Sequence, residues 1–378
     1  MRKALLVTIL VLLLIPAMVK WRYGGGEPFP SADYRPVMDV AAMEVVAELP
    51  MPPGNIAVSS TGRVFFTFHP EARPEISVAE WVDGEAVPWP SEAFQTGEGE
   101  PLAFQNVLSI RIDRQGRLWA LDNAHHGTGQ PRLLAFDLAS GEVVHQYDFS
   151  SAEAPMLSHL NDFQVSNDGR YIFIADASIF GKKPALLVYD VQQQQARRLL
   201  ENHVSVVAEK YIPEVQGREM EVFGIFAIRP GVDSIALSRD NQWLYFAAVT
   251  ATAMYRAKVE DLINPALSAE ALADKVERWA SKSESDGITS DDVGNVYLTD
   301  PGHSAIHRLK AGGGELETLL MSPTIRWPDG MSFGPDGWLY FTCSSLHHVI
   351  GRGPAHIRRH APYQIFRFQP GVSAAPGH

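Results

Sequence analysis

One short phrase recurs through this chain: a polar residue, a brief apolar strand, a tight turn and a second strand rich in aromatics. It runs from Asn161-Asp162-Phe163 to Tyr171-Ile172-Phe173 and from Asp233-Ser234-Ile235 to Leu244-Tyr245-Phe246. It returns from Asp286-Gly287-Ile288 to Val296-Tyr297-Leu298, and from Asp329-Gly330-Met331 to Leu339-Tyr340-Phe341. Such a unit cannot bury its apolar face alone and has to stack on copies of itself. Aligned on the turn, the units place Gly62, Gly116, Gly169, Asn241, Gly294 and Gly337 at equivalent tips. Glycine and asparagine tolerate the positive φ of a tight hairpin. Further strand-like runs follow, such as Leu186-Leu187-Val188-Tyr189-Asp190 and Val143-Val144-His145-Gln146-Tyr147. Four antiparallel strands, six times over, predict an all-β chain folded as a six-bladed β-propeller. Residues Glu44 to Leu49 and Gln364 to Phe368 are suited to share the last blade, which leaves no long edge exposed.

A closed array of this kind uses most of the 378 residues as one unit, assigned here to 41–370. Residues 23–40, rich in Gly and Pro, read as a linker, and 371–378 as a disordered tail. Arg2 and Lys3 precede an apolar run from Ala4 to Val19. A basic start and short apolar run predict an export signal or a membrane anchor over 1–22. The body is therefore expected outside the cytoplasm, secreted or periplasmic, with residues 4–19 as an inner-membrane anchor if the segment is retained. A net charge of −12 argues against nucleic-acid partners. The single cysteine, Cys343, excludes an internal disulfide and reads as a small buried filler. A monomer is expected, touching membrane through its N-terminal segment alone.

Two inserts break the period. Residues 202–230 are long and mixed. Residues 264–280 read as one short inserted helix, with Leu272, Val276 and Trp279 on one face and Asn264 or Ser268 as its cap.

The innermost strands of a propeller run along a central channel, so equivalent positions of distant blades converge at its mouth. Eight residues before each turn stand Gly54, Leu108, Asn161, Asp233, Asp286 and Asp329, with Asp162 beside Asn161 and Asn55 and Asn106 close to the register. Converging carboxylates repel, so one keeps its proton or a cation neutralises them. Oxygen donors suit Ca²⁺ best, then Mg²⁺ or Mn²⁺. Asn161, Asp233, Asp286 and Asp329 are the candidate ligands. The competing role for such residues is turn capping, for which Asp286-Gly287 and Asp329-Gly330 are well suited. His159 is the first candidate for proton handling and His203 the next; the paired His125-His126, His303 with His307, His347-His348, and His356 with His360 read as surface or loop residues off any helix. The basic stretch from Arg352 to His360 reads as a solvated loop. No Walker loop, Gly-x-Gly-x-x-Gly after a strand, Gly-x-Ser-x-Gly elbow or His-Glu-x-x-His is present, so no nucleotide cofactor is expected.

At Leu160-Asn161-Asp162, Ala185 through Asp190, Gly231 through Ser238, Trp243 through Phe246 and Trp327-Pro328-Asp329, the chain resembles the yellow / major royal jelly protein family, in a bacterial form. The resemblance implies a secreted six-bladed propeller that binds a small polar or aromatic ligand at the channel mouth, with dopachrome-conversion-like isomerase activity in some members. On that reading Asn161, Asp162 and Asn106 contact the ligand, Asp286 is the base and His159 carries a proton. A more distant similarity is to the gluconolactonase / senescence-marker propellers. It implies metal-dependent lactone hydrolysis, with Asp233 and Asp286 at metal-ligand positions and Asn161 at a substrate position. That family has a Glu at the start of its first blade, where this chain reads Pro53-Gly54-Asn55-Ile56. A non-catalytic envelope scaffold is the third alternative.

Overall fold

The computed structural model describes residues 14–377. Most of the expected export segment lies outside them. Residues 14–23 are helical, and no described helix is long and apolar enough to cross a membrane.

Six four-stranded antiparallel sheets form the body. From the axis outward, blade 1 is Pro53–Val58, Val64–Phe68, Val78–Val82 and Glu85–Pro88, and blades 2 to 5 repeat that order. Their innermost strands are Val107–Ile112, Leu160–Val165, Val232–Leu237 and Ile288–Ser290. Blade 6 takes Pro328–Phe333, Leu339–Cys343 and Tyr363–Phe368 from the end of the chain, and its outermost strand is Glu44–Leu49 from the beginning. The innermost strands pack side by side around the axis, and the last touches the first. The ring is closed.

Alternation along each strand sends one set of side chains toward each neighbouring blade. The result is six apolar cores, one between each adjacent pair. Blades 1 and 2 share Phe65, Ile110 and Leu118; blades 2 and 3 share Trp119, Phe163 and Ile172. Blades 5 and 6 share Tyr297, Met331 and Phe341, and Tyr340, Ile365, Ile56 and Phe66 close the circle between blades 6 and 1. Cys343 belongs to one of these cores and is fully buried, as a filler.

The inner strands exchange no ladder with one another, so side chains tie them. Gln164 Nε2 donates to the Ile235 carbonyl (3.0 Å), and Val58 N donates to Ser332 Oγ (3.0 Å).

Three expectations need correction. Residues 264–280 are not one helix. Ser268 does cap a helix, accepting from Ala271 N, but that helix spans only Ala269–Ala273, and Glu277–Ser281 is the fourth strand of blade 4. Leu272 and Val276 pack as a helical pattern would have them. Trp279 instead lies against Tyr245 on the sheet, with ring centroids 4.6 Å apart. The need to complete the blade overrides a periodicity too short to separate helix from strand. Short helices also occur at Glu92–Thr96, Ala124–Gly127, Val259–Leu262 and Pro354–Arg359.

Residues 23–40 are seated on the propeller rather than free. Tyr23 stacks on Phe226 (5.0 Å), Glu27–Pro28 pairs with Tyr211–Ile212, and Tyr34 packs against His303 and His307. The end of the chain is held as far as Gly377, whose N–H donates to the Phe333 carbonyl (3.0 Å) and whose carbonyl accepts from Ile112 N (3.3 Å).

Candidate functional site

The innermost strand is bulged at its opening in five blades. The register slips between Pro53 and Ile56, Val107 and Ser109, Leu160 and Phe163, Val232 and Ser234, and Pro328 and Met331. A bulge re-aims the side chains it carries. Here the extra residues are those of the eight-residue register, or their neighbours, and they turn toward the channel mouth. In blade 5 the strand begins after the register position, at Ile288.

Asn161, Asp162, Asp233, Asp286, Asp329, Asn106 and His159 all line one cleft. Apolar side chains line it too: Phe180, Phe226, Ile179 and Ile228. Phe226 and Ile228 come from the 202–230 insert, which folds as two-stranded ribbons over the mouth. The insert thus supplies part of the apolar lining, and the connection between the second and third strands of blade 3 supplies Ile179 and Phe180.

The cleft holds an acidic cluster in which Asp162, Asp233 and Asp286 each have a different partner. Asp162 is neutralised: Asn55 Nδ2 and Ser109 Oγ both donate to its Oδ1 (2.8 Å each), and Arg111 Nη2 lies 3.4 Å from its Oδ2. Arg111 is fully buried and also donates to Asn55 Oδ1. Asp286 accepts from Trp327 Nε1 at 2.6 Å, and Asp233 accepts from the Asn161 amide. Among the described residues no lysine or arginine reaches ion-pair distance of Asp233, Asp286 or Asp329. Burial pushes the Asp286 carboxyl up to about 7, against the Trp327 hydrogen bond. Burial, then the neighbouring carboxylates, also raises Asp233 and Asp329 well above the usual range.

None of these three carboxyls caps a backbone turn, the competing role for them. Capping falls to the aspartates that end the second strands. Asp122 accepts from Gln105 N, Asn106 N and Ala124 N, Asp176 from His159 N and Ser178 N, and Asp300 from His303 N. That division of labour leaves the register residues for the cleft.

A second polar group in the cleft, His69, Glu71 and His126 beside His159, lies outside the repeat register. Glu71 Oε1 and His126 Nε2 are 2.8 Å apart, and the His126 and His159 rings meet edge to face at 4.4 Å. The hydrogen bond to His126 holds Glu71 down to about 2, while burial lowers His69 to about 4 and His159 to about 3. His159 is thus a neutral imidazole at physiological pH, with a buried Nδ1 that has no partner, and a poor proton carrier. His203 is not in the cleft; its Nδ1 is 2.7 Å from Ser205 Oγ. The presumed surface histidines are also revised. His126 faces the cleft, His307 is buried against Asp300 and Thr318, and His356 lies on the helix Pro354–Arg359 with His360 as its C-cap.

The oxygen-only donor set of Asn161, Asp233, Asp286 and Asp329 matches a hard divalent ion, and so do three buried carboxyls with no lysine or arginine in ion-pair contact, although the buried Lys282 acts on Asp233 and Asp286 from farther away. Their carboxylate oxygens are not gathered within 4.8 Å of one another, so closure on an ion requires inward rotation.

Comparison with known proteins agrees with this architecture. Three propellers of known structure superpose on nearly the whole chain. A luciferin-regenerating enzyme gives a TM-score of 0.56 at 13% identity, covering 89% of this chain and 97% of that one. A gluconolactonase from Xanthomonas campestris gives 0.54 at 12%, covering 92% and 98%. A calcium-binding regucalcin from Agrobacterium tumefaciens gives 0.52 at 13%, covering 88% and 98%. At such identities the likeness is one of fold. In sequence, major royal jelly protein 7 of Apis mellifera is 26% identical over 169 residues, 42% of this chain and 36% of that protein. Major royal jelly protein 3 is 25% identical over 189 residues, 47% of this chain and 33% of that protein. The chain thus spans about a third of the length of the curated relatives it matches. The model of the family described as "Major royal jelly protein" matches residues 105–341, well over half of the sequence and from before the second blade into the last. The chain belongs to the major royal jelly protein family.

Proposed function

We propose that this propeller binds a small molecule with an aromatic or apolar body and a polar end at the channel mouth, and that Asp286 exchanges a proton with it in an isomerisation. One observation carries the reading: Phe180 and Phe226 line the same cleft as the cluster of carboxyls. The apolar body would sit on the aromatic side, and hydroxyl or amine donors would reach Asn161, Asp162 and Asn106. A carboxyl near pH 7 gives and takes a proton with equal ease, which general acid–base work needs. His159 would serve as a neutral hydrogen-bonding group rather than a relay. The expected setting is extracytoplasmic, with a monomer acting on its own.

A panel of small phenols and aromatic amines, titrated calorimetrically, tests this. One-to-one binding is expected, weakened at least tenfold in Asp286→Asn, about 1.4 kcal/mol. A variant that binds as tightly as the parent removes Asp286 from the site.

A second reading has its own support in the three raised carboxyls, none of which is in ion-pair contact with a lysine or arginine. Asn161, Asp233, Asp286 and Asp329 would hold a divalent ion, Ca²⁺ before Mg²⁺ or Mn²⁺, and a bound ion would polarise a lactone carbonyl. Adding Ca²⁺ to the same titration separates the two readings, because only the second requires the ion for binding.

A further inference from the structure

Away from the acidic cluster, on blade 6, three imidazoles converge. His348 ends a short 3-10 turn, Leu346–His348, while His356 lies on the helix Pro354–Arg359 and His360 caps it. The ring centroids of His348 and His360 are 3.8 Å apart, those of His356 and His360 4.2 Å, and those of His348 and His356 5.6 Å. One ring nitrogen from each falls within 4.8 Å of the other two. We propose that His348, His356 and His360 form a binding site for a late first-row divalent metal ion, Zn²⁺ or Cu²⁺, at the rim of the cleft.

The two helical histidines are four residues apart, a spacing that sets side chains one above the other on a single helical face. The same spacing provides two zinc ligands in helical metal motifs. The tautomer of His360 is set by its surroundings, because its Nδ1 donates to the His356 carbonyl at 2.8 Å. Its Nε2 lone pair is therefore the free one, and a backbone bond on the other ring nitrogen is how metal-binding histidines are oriented. The Nε2 of His356 is buried and has no partner. Zinc–nitrogen bonds of about 2.0–2.1 Å put tetrahedral ligand atoms roughly 3.3 Å apart. The His360 ring is stacked on those of His348 and His356, at interplanar angles of 24° and 29°, so the rings must turn from stacked to convergent to close the triad.

Both supporting segments are clamped. Arg326 Nη1 donates to the His360 carbonyl at 2.9 Å, and Arg218 donates to the carbonyls of His347 and Ile350. All three imidazoles are half-buried, so each is partly open to solvent. Imidazole donors select zinc or copper over calcium, so this site and an oxygen-lined one respond to different ions. Leu346 and Ile350 flank His347-His348 and line the cleft, so an ion here would stiffen the part of the rim that meets a ligand.

The test uses the full, untagged chain after chelator treatment, titrated calorimetrically with Zn²⁺ and followed in absorbance with Co²⁺ as the spectroscopic probe. One ion per chain is expected, with the visible bands of tetrahedral cobalt. Affinity should fall at least tenfold, about 1.4 kcal/mol, in each of His356→Ala and His360→Gln. Circular dichroism verifies the fold of each variant, and the cobalt spectrum of the unaltered chain stands even if one misfolds. Unchanged affinity in both variants, absence of saturable binding below millimolar Zn²⁺, or loss of binding in His126→Ala instead would each overturn the assignment.

Discussion

Asp286 concentrates the chemistry of the cleft in a single side chain. Its carboxyl is raised from an ordinary 3.8 to about 7, with burial as the largest cause. A raised folded-state value means that its contribution to stability is complete below about pH 4, declines as pH rises, and is gone above about 7. His69 and His159 act in the opposite sense, since their lowered values cost stability as pH falls through the usual histidine range. They are common to the parent and an Asp286→Asn variant, so the difference between the two reports Asp286 together with its coupling to Asp233 and Asp329. The variant should gain on the parent by several degrees in melting temperature at pH 8, and by little or nothing at pH 4.5. Thermal scans at the two pH values check this, and an equal gain at both would place the titration elsewhere. The register residue of each blade was legible because repetition gives it an address. Arg111 was also within reach, as a charge at a buried position in the alternating run Leu108-Ser109-Ile110-Arg111. His69, Glu71 and His126 were not, because they come from loops that share no repeat position.

At the scale of elements, the inner strands approach closely enough to exclude side chains. A Cβ on Gly287 would overlap the Asp329 carbonyl, and one on Gly330 would stand 2.7 Å from Asn55 Cα. The Asp-Gly pairs are thus explained by contact between neighbouring blades, with the acid facing the cleft and the glycine admitting the next strand. Gly287→Ala should cost about 3 kcal/mol or more, because backbone rather than a side-chain tip would have to move. Gly314→Ala, whose nearest neighbour is Lys310 Cβ at 3.9 Å, should stay within about 0.5 kcal/mol. Urea denaturation of the two proteins makes the comparison, and similar midpoints would contradict the packing argument. The strand at Glu277–Ser281 shows why element type was only partly readable. Its residues satisfy a short helical pattern, and the vacancy at the outer edge of blade 4 decides the matter.

The whole molecule is held by a joint between its two ends. Glu44–Leu49 pairs with Tyr363–Phe368, and Arg367 Nη2 meets Glu44 Oε2 at 2.7 Å. Ala47 and Leu49 are buried in the core between blades 1 and 6. Removing residues 1–49 should therefore open the ring, lower the melting temperature by ten degrees or more, and yield soluble aggregates in size-exclusion chromatography through the bared edge. A monomeric, equally stable truncated chain would show that the joint is dispensable. The joint also bears on biosynthesis. Glu44–Leu49 leaves the ribosome more than 300 residues before its partner strand Tyr363–Phe368, a delay of roughly tens of seconds at about 5–20 residues per second. Throughout that interval it waits as a lone strand in a crowded cell. Glu44 and Glu48 then act as gatekeepers, their negative charge discouraging stray pairing with other nascent chains until translation delivers the rightful neighbour.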